Sequence, residues 1–194
     1  HSAAEDEILY QLNRETNLKV LNPRMLSGQV QGKFLEFLSR MLAPAYILEI
    51  GTFTGYSAIC LARGLGKEGR LITIEKNDEL KEITEKYFGL AGVSERIELL
   101  TGDALEIIPA LDMDFDLIFI DGEKEEYPEY YHRVIDKLRS GGFIIADNVL
   151  WAGKVLEEVK PGDTDTLALQ QFNDLVRSDP RVENCILPIR DGLI

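Results

Sequence analysis

Short apolar runs alternate with amphipathic segments along most of this chain, and most of the runs end at an acidic residue or a glycine-rich turn. The apolar runs predict strands at residues 46–50, 70–75, 96–100, 115–120, 142–146 and 182–188. The amphipathic segments predict helices at residues 56–63, 78–90, 104–111, 127–138 and 167–178. Repeated strand–helix units with nearly continuous apolar strands are typical of a parallel sheet with helices on both faces. We therefore expect an α/β fold, and a single domain because the 194 residues contain no repeat, low-complexity tract or linker.

The ends of the predicted strands carry residues that could bind a ligand. Residues 51–57 form a glycine-rich turn after the first strand, Glu75 ends the second, and Asp103 follows the third. Residues 121–124 and 147–148, which follow the fourth and fifth strands, are mostly polar. Ligands of open parallel sheets bind beyond the carboxyl ends of the strands, so we expect one site at this edge.

The turn from Glu49 to Ser57 predicts a contact with an amino-acid-like ligand. Glycines at Gly51 and Gly55 allow a sharp turn and close approach of the backbone, although a tight turn without a ligand would need them too. A dinucleotide-binding loop would have a second glycine where Phe53 stands, which argues against a pyrophosphate. Glu49 ends an apolar strand and is costly to bury without a donor or cation, a role that a ligand ammonium could fill.

Two further acids fit a nucleoside. Glu75 stands where a carboxylate can accept hydrogen bonds from both ribose hydroxyls, and Asp103 with Ala104 opens the helix that would lie near an adenine ring. An exposed strand-end glutamate and a simple helix cap are the alternatives. Together, ribose, adenine and amino-acid contacts without a pyrophosphate loop favour S-adenosylmethionine over NAD.

Asp121, Asp147 and Asn148 predict a metal site. Neighbouring strands lie about 4.8 Å apart, so these three oxygen ligands converge if the fourth and fifth strands are adjacent. Two carboxylates and an amide suit a hard cation, with Mg²⁺ the first choice and Mn²⁺ or Ca²⁺ as alternatives. Lys124 follows closely, and because a nearby cation and partial burial both disfavour its charged form, it is a candidate general base. The alternatives are helix capping for the acids and a surface pair with Glu123 or Glu126 for the lysine.

The composition argues against nucleic acid and membrane partners. The formal net charge of −13 repels phosphate backbones, and no basic cluster offsets it. No apolar run approaches the roughly 20 residues that span a bilayer, and no signal peptide is visible, so we expect a cytoplasmic protein. Cys60 and Cys185 lie in apolar segments, which predicts two buried free thiols.

Four motifs in order resemble the cation-dependent O-methyltransferases, the family of catechol and caffeoyl-coenzyme A O-methyltransferases. The resemblance runs from about Asn22 to the last residue. Its pieces are residues 48–57 (LEIGTFTGYS), residues 121–124 (DGEK) followed by Tyr127 and Tyr130, residues 147–151 (DNVLW), and residues 187–192 (LPIRDG). The resemblance implies a Rossmann-like class I methyltransferase with a seven-stranded, mostly parallel sheet and helices on both faces. It also implies that residues 1–45 form a helical segment over the site, and that the protein is a homodimer.

The resemblance also implies roles for individual residues. Lys124 matches the proposed base, and Asp121, Asp147 and Asn148 match the metal ligands. The cofactor contacts that it implies are Ser27, Glu49, Gly51, Thr52, Ser57, Glu75, Ala104 and Glu123. Asp103 and Asp121 are further candidate cofactor contacts, because they also follow strand ends. Ala152 stands where the plant caffeoyl-coenzyme A enzymes have an asparagine, so that acceptor contact does not carry over.

These observations predict metal-dependent transfer of a methyl group from S-adenosylmethionine to a hydroxyl of a small catechol-like or phenolic acceptor. In this hypothesis the cation binds two adjacent acceptor oxygens and Lys124 takes the proton of the reacting hydroxyl. Three alternatives stay open: a tRNA nucleoside as acceptor, an NAD-dependent dehydrogenase of similar topology, and a non-catalytic protein that only binds the cofactor or metal.

Overall fold

The computed structural model describes residues 3–194 and builds them around one parallel sheet. Its strands are β1 (Tyr46–Ile50), β2 (Arg70–Glu75), β3 (Ile97–Thr101), β4 (Phe115–Ile120) and β5 (Leu138–Ala146). Their order across the sheet is β3-β2-β1-β4-β5, and every adjacent pair is parallel. Because the chain leaves β1 toward β2 and later returns to its other side as β4, the crevice between β1 and β4 is the place where a ligand is expected. The predicted α/β fold is confirmed.

Helices precede the sheet and alternate with its strands. They are α1 (Glu7–Lys19), α2 (Gly28–Leu42), α3 (Tyr56–Ala62), α4 (Lys81–Leu90), α5 (Ala104–Ile107), α6 (Tyr127–Val134) and α7 (Thr164–Ser178). Several predicted helices are shorter as α-helices because 3₁₀ turns occupy one end, as at Asp78–Leu80 and Ile135–Lys137. Aspartates cap three of them: Asp6, Asp103 and Asp163 accept hydrogen bonds from first-turn amides of α1, α5 and α7.

The sheet separates two apolar cores. Ile47, Leu117 and Phe119 pack on the face covered by α1, α2 and α3. Leu48 and Ile118 pack on the other face, under α6 and α7. Both faces of β1 and β4 are therefore buried, which explains why their sequences are nearly continuous apolar runs.

The sheet has fewer strands than expected. Within the described residues there are five strands rather than seven, and the strand predicted at residues 182–188 is wrong. Leu187 makes only an isolated bridge to Leu193, which also bridges to Asp147 at the edge of β5. Ile186 and Leu187 are exposed, so this apolar segment has no covering layer against which a strand could bury its side chains. Cys185, in the same segment, is exposed and not buried as predicted, whereas Cys60 is buried.

The fifth strand begins earlier than the sequence predicted. The strand was predicted at residues 142–146, but β5 begins at Leu138 and includes Gly141, and its pairing register with β4 shifts between Leu138 and Phe143. Gly141 has φ +79°, which suits a glycine in a bulge. Within the described part of the chain, no helix combines the length and apolar character needed to cross a membrane.

Candidate active site

The carboxyl ends of the strands open into one cavity of about 1590 Å³. Its wall contains the sequence-predicted site residues with one exception: Ser27, Gly51, Thr52, Ser57, Glu75, Asp103, Ala104, Asp121, Glu123, Lys124, Asp147 and Asn148. The exception is Glu49, which is fully buried behind the wall. The lining also includes Glu15 and Lys19 of α1, Arg24 and Met25 of the 3₁₀ turn Pro23–Met25, and Trp151, Ala152 and Lys154.

The turn after β1 is fixed by its contacts with two other loops. Gly51 has φ +91°, and a Cβ there would lie 2.1 Å from the carbonyl oxygen of Asp121. Phe53 also has a positive φ, and its amide donates to Glu75 Oε2 at 2.7 Å. Thr84 Oγ1 donates to the Phe53 carbonyl at 3.1 Å. The turn is therefore held against the ends of β4 and β2 in a shape that leaves its backbone facing the cavity.

Glu49 is a buried acid with one unpartnered oxygen. Thr73 Oγ1 donates to Glu49 Oε2 at 2.5 Å and lies 2.5 Å from Thr52 Oγ1, whereas Glu49 Oε1 has no hydrogen-bond partner among the described residues. Burial raises the pKa of Glu49 to about 8, although the hydroxyls of Ser57 and Thr73 oppose the rise. A cation placed beside the free oxygen would favour the ionised form.

Glu75 and Asp103 are fixed by backbone amides. Glu75 Oε1 accepts from the amide of Asn77 at 2.9 Å, and its Oε2 accepts from Phe53. Asp103 Oδ1 accepts from the amide of Leu105 at 2.9 Å, and Lys76 Nζ lies 3.3 Å from Oδ2. The Leu105 amide and then Lys76 hold the pKa of Asp103 below its ordinary value. Asp103 thus caps α5 and lines the cavity at the same time.

Asp121 and Asp147 stand side by side at the ends of β4 and β5. Ile120 pairs with Ala146, the residues just before them, and the Asp147 amide donates to the Ile120 carbonyl at 2.9 Å. Burial raises the pKa of Asp121 to about 7; Lys124 opposes the rise and the charge of Asp147 adds to it. The predicted convergence of these two strand ends is therefore present.

The donor set at this corner fits a hard cation. Asn148 follows Asp147 in a left-handed conformation with φ +62°, and its amide donates to Asp147 Oδ1 at 2.7 Å. No cluster of three or more His, Cys, Asp or Glu side chains suited to a metal occurs in residues 3–194. The predicted set is of another composition, with two carboxylates and one amide oxygen, and a cation bound there would offset the charge of Asp147, which adds to the effect of burial on the pKa of Asp121.

Lys124 lies against the acids and not on the surface. Its Nζ donates to Asp121 Oδ1 at 3.0 Å, to the Gly122 carbonyl at 3.1 Å and to the Tyr127 hydroxyl at 2.7 Å. The side chain is 12% exposed, and the alternative of a surface pair with Glu123 or Glu126 is wrong because its ion pair is with Asp121. A primary amine is thus held at the cavity wall beside the candidate metal ligands.

Three residues at the site had no role assigned from the sequence. The Tyr127 hydroxyl, besides accepting from Lys124, donates to the Asp147 carbonyl at 2.9 Å. Gln31 Nε2 donates to Asp147 Oδ2 at 2.7 Å, and Arg190 reaches Gln31 from the other end of the chain. The sequence around Gln31 indicates no partner, since Gln31 is one of three buried polar residues of α2, with Glu36 and Ser39.

Comparisons with known proteins agree with this geometry. The model of the O-methyltransferase family matches residues 1–194. The chain is 38% identical over 161 residues to the catechol O-methyltransferase of Niastella koreensis, a match covering 81% of this chain and 72% of that protein. It is 34% identical over 182 residues to caffeoyl-CoA O-methyltransferase 1 of Eucalyptus globulus, covering 87% and 73% of the two chains.

Two solved structures that contain the cofactor or its product are similar throughout. The O-methyltransferase TomG of Streptomyces achromogenes, involved in tomaymycin synthesis and solved with S-adenosylmethionine (SAM), has a TM-score of 0.90 and 33% identity, covering 98% of this chain and 88% of that one. The O-methyltransferase of Bacillus cereus, solved with S-adenosylhomocysteine (SAH), has a TM-score of 0.88 and 32% identity, covering 98% and 90%.

Proposed function

Because this chain belongs to the O-methyltransferase family, and is therefore an S-adenosylmethionine-dependent O-methyltransferase, we propose that it uses a divalent cation to methylate a hydroxyl of a small catechol-like acceptor. One observation carries the proposal. Asp121 and Asp147 end neighbouring strands beside Lys124, in the wall of the cavity that also contains the turn after β1. Family membership argues against the two alternative hypotheses of an NAD-dependent dehydrogenase and a non-catalytic binding protein.

The cofactor contacts that we propose lie in the cavity wall, except for Glu49, which lies behind it. When bound, S-adenosylmethionine supplies the methyl group. We assign its amino-acid part to Glu49 and Ser57, its ribose to Glu75 and its adenine to Ala104. The free oxygen of Glu49 supports this orientation, since an ammonium is the ligand group that an unpartnered buried carboxylate favours. The remaining contacts that we assign are Ser27, Gly51, Thr52, Asp103, Asp121 and Glu123.

Asp121, Asp147 and the side chain of Asn148 would hold the cation, and Mg²⁺ suits their oxygen atoms best, with Mn²⁺ or Ca²⁺ as alternatives. When bound, it would lower the pKa of an acceptor hydroxyl, as metal ions do for bound water. Hydrogen bonds from neighbouring residues hold Asp147 in position. The Asn148 amide donates to Asp147 Oδ1, and the Tyr127 hydroxyl donates to the Asp147 carbonyl.

Lys124 is the residue that we propose takes the acceptor proton at Nζ, after giving up one of the three protons with which it donates to Asp121, Gly122 and Tyr127. Tyr127 and the Gly122 carbonyl orient the amine, and its partial burial keeps water from competing for it. General bases of this kind contribute roughly 10² to 10⁴ in rate. Holding the acceptor and the methyl donor together in one cavity contributes a larger rate acceleration, because effective molarities can reach roughly 10⁵ M.

A small catechol-like acceptor is favoured by two features. Relatives named catechol and caffeoyl-CoA O-methyltransferase cover more than four fifths of this chain. The formal net charge of −13 disfavours the tRNA alternative.

We also propose a homodimer, in line with the family resemblance. The exposed row Val30, Phe37 and Met41 on one face of α2 offers an apolar surface for it, and light scattering after size-exclusion chromatography tests this.

The experiment measures methyl transfer by mass spectrometry across a panel of catechols, monophenols and bulk tRNA. We expect catechol methylation with Mg²⁺, loss of it with EDTA, and recovery when Mg²⁺ is restored. Calorimetric titration of SAH into the EDTA-treated protein is the control, and binding there separates loss of metal from loss of fold. Full activity in metal-free protein would overturn the metal assignment, and methylation of tRNA alone would overturn the acceptor class.

A further inference from the structure

We propose that Gln31 is a positioning residue that fixes Asp147 and, through Arg190, couples it to the segment of residues 24–27 at the rim of the cavity. The inference rests on the proposed function, because it takes Asp147 to be a metal ligand. It adds a linkage between cation binding and cofactor binding that passes through residues far apart in the sequence.

Gln31 is fully buried and bonded at both ends of its amide. Its Nε2 donates to Asp147 Oδ2 at 2.7 Å, and its Oε1 lies 3.3 Å from Arg190 Nη1, which donates to it. The orientation of the amide is set by chemistry, because a carboxylate only accepts and a guanidinium only donates. A glutamate in this position would set two carboxylates against each other, and an apolar residue would make neither bond.

Arg190 holds the rim segment. Its Nη1 donates to the carbonyl oxygens of Leu26, at 2.7 Å, and of Ser27, and its Nη2 lies 3.3 Å from the carbonyl oxygen of Arg24. Arg190 itself has φ +52°, a backbone conformation that costs an arginine free energy and persists only where surrounding contacts favour it. One guanidinium thus binds three carbonyls of a segment whose side chains line the cavity.

The two sets of contacts meet at Asp147. The Asn148 amide fixes one carboxylate oxygen and Gln31 fixes the other, so removing Gln31 leaves Oδ2 without its donor and free to change position. Loss of such a supporting hydrogen bond typically weakens metal binding roughly 10- to 100-fold. Arg190 donates to the Ser27 carbonyl and also to Gln31, and Ser27 is part of the cavity wall. A ligand that orders residues 24–27 therefore also orders Gln31 through Arg190.

The consequence is a reciprocal coupling. We expect SAH to tighten Mn²⁺ binding, and Mn²⁺ to tighten SAH binding by the same factor, roughly 5-fold or more. The test is isothermal titration of Mn²⁺ into the full chain, with and without saturating SAH, for the native protein and for Gln31→Met and Arg190→Met. Gln29→Met is the matched control, because Gln29 lies on the same helix and, among the residues that the structure describes, its side chain bonds only to the Ala3 carbonyl.

In Gln31→Met we expect Mn²⁺ affinity without SAH to fall at least about 10-fold and the coupling factor to drop to about 1. In Arg190→Met, which keeps the Gln31–Asp147 bond, we expect the coupling factor to drop to about 1 as well. Thermal unfolding identifies a variant that does not fold, and if Gln31→Met fails, Arg190→Met carries the test. Mn²⁺ binding by Gln31→Met within twofold of native, or coupling retained in Arg190→Met, would overturn the inference. A native protein that binds no Mn²⁺ would instead refute the metal assignment under the proposed function.

Discussion

The backbone at Gly51 passes so close to Asp121 that a Cβ would lie 2.1 Å from the Asp121 carbonyl oxygen. Gly51 belongs to the turn assigned to the cofactor, and Asp121 to the corner assigned to the cation. The contact therefore fixes the position of one site relative to the other without any side chain between them. Since methyl transfer depends on the separation of donor and acceptor, this approach sets the geometry of the reaction.

Gly51→Ala should reduce kcat/KM for a catechol by about 100-fold, because a displacement of about 1 Å between reacting groups can have that effect. It should also lower the melting temperature. Gly162→Ala is the control: Gly162 has φ +87° against +91° at Gly51, but nothing lies within 4 Å of its Cβ position. Equal losses of activity in both variants would mean that the positive φ matters and the close contact does not.

Tyr127→Phe should lower kcat by roughly 10- to 100-fold with little change in KM, because Lys124 loses the hydroxyl that orients its amine. Tyr131→Phe on the same helix removes a half-buried hydroxyl that donates to Asp179 Oδ2 at 3.0 Å, and neither residue lines the cavity. Each variant should lose about 1 kcal/mol of stability. Steady-state kinetics and chemical denaturation separate the two effects, and a kcat unchanged in Tyr127→Phe would contradict the orienting role.

Features set by a local pattern were predictable from the sequence. The bounds of β1, β2 and β4 are those predicted, because a strand buried on both faces is a nearly continuous apolar run. The placement of Asp121 and Asp147 in one wall was also predictable, since the carboxyl ends of parallel strands share an edge of the sheet.

Features that depend on distant partners were not predictable. Gln31 and Asp147 are 116 residues apart in the chain, and nothing near Gln31 indicates a carboxylate partner. Residues 182–188 have the composition of a strand, but whether such a segment pairs depends on what covers it, and Ile186 and Leu187 are uncovered. In β5 the error had the opposite sign, because the structure has more strand than the sequence predicted. The strand continues through Gly141, since a bulge tolerates a glycine where a regular strand would not.

Glu49 should make the ligand-free, EDTA-treated protein less stable as the pH rises. Its pKa is about 8 in the folded protein and near 4.5 when unfolded, so the folded state binds the extra proton between these values. Stability is therefore fully present below about pH 4.5 and is lost as the pH approaches 8. Relative to the native protein, Glu49→Gln should gain stability on the order of 3 kcal/mol between pH 5 and pH 8, measured by urea denaturation.

Glu36 provides the control of opposite sign. Burial raises the pKa of Glu36, but hydrogen bonds from Lys33 and Arg40 outweigh it and hold the pKa below 4.5. Its stabilisation is thus present above pH 4.5 and is lost only as the pH falls. The stability difference between Glu36→Gln and the native protein should stay constant from pH 5 to pH 8, and a parallel trend in both variants would exclude Glu49 as the cause.

Binding of SAH should release a proton from Glu49. At pH 7 the ligand-free side chain is mostly protonated, because its pKa is about 8, and a ligand ammonium beside its free Oε1 would favour the carboxylate. The affinity for SAH should therefore rise with pH up to about 8 and then level off. Isothermal titration in buffers of different ionisation enthalpy measures the proton release, and Glu49→Gln subtracts the contribution of every other group. Release of the same number of protons by both proteins would show that the ammonium does not sit beside Glu49.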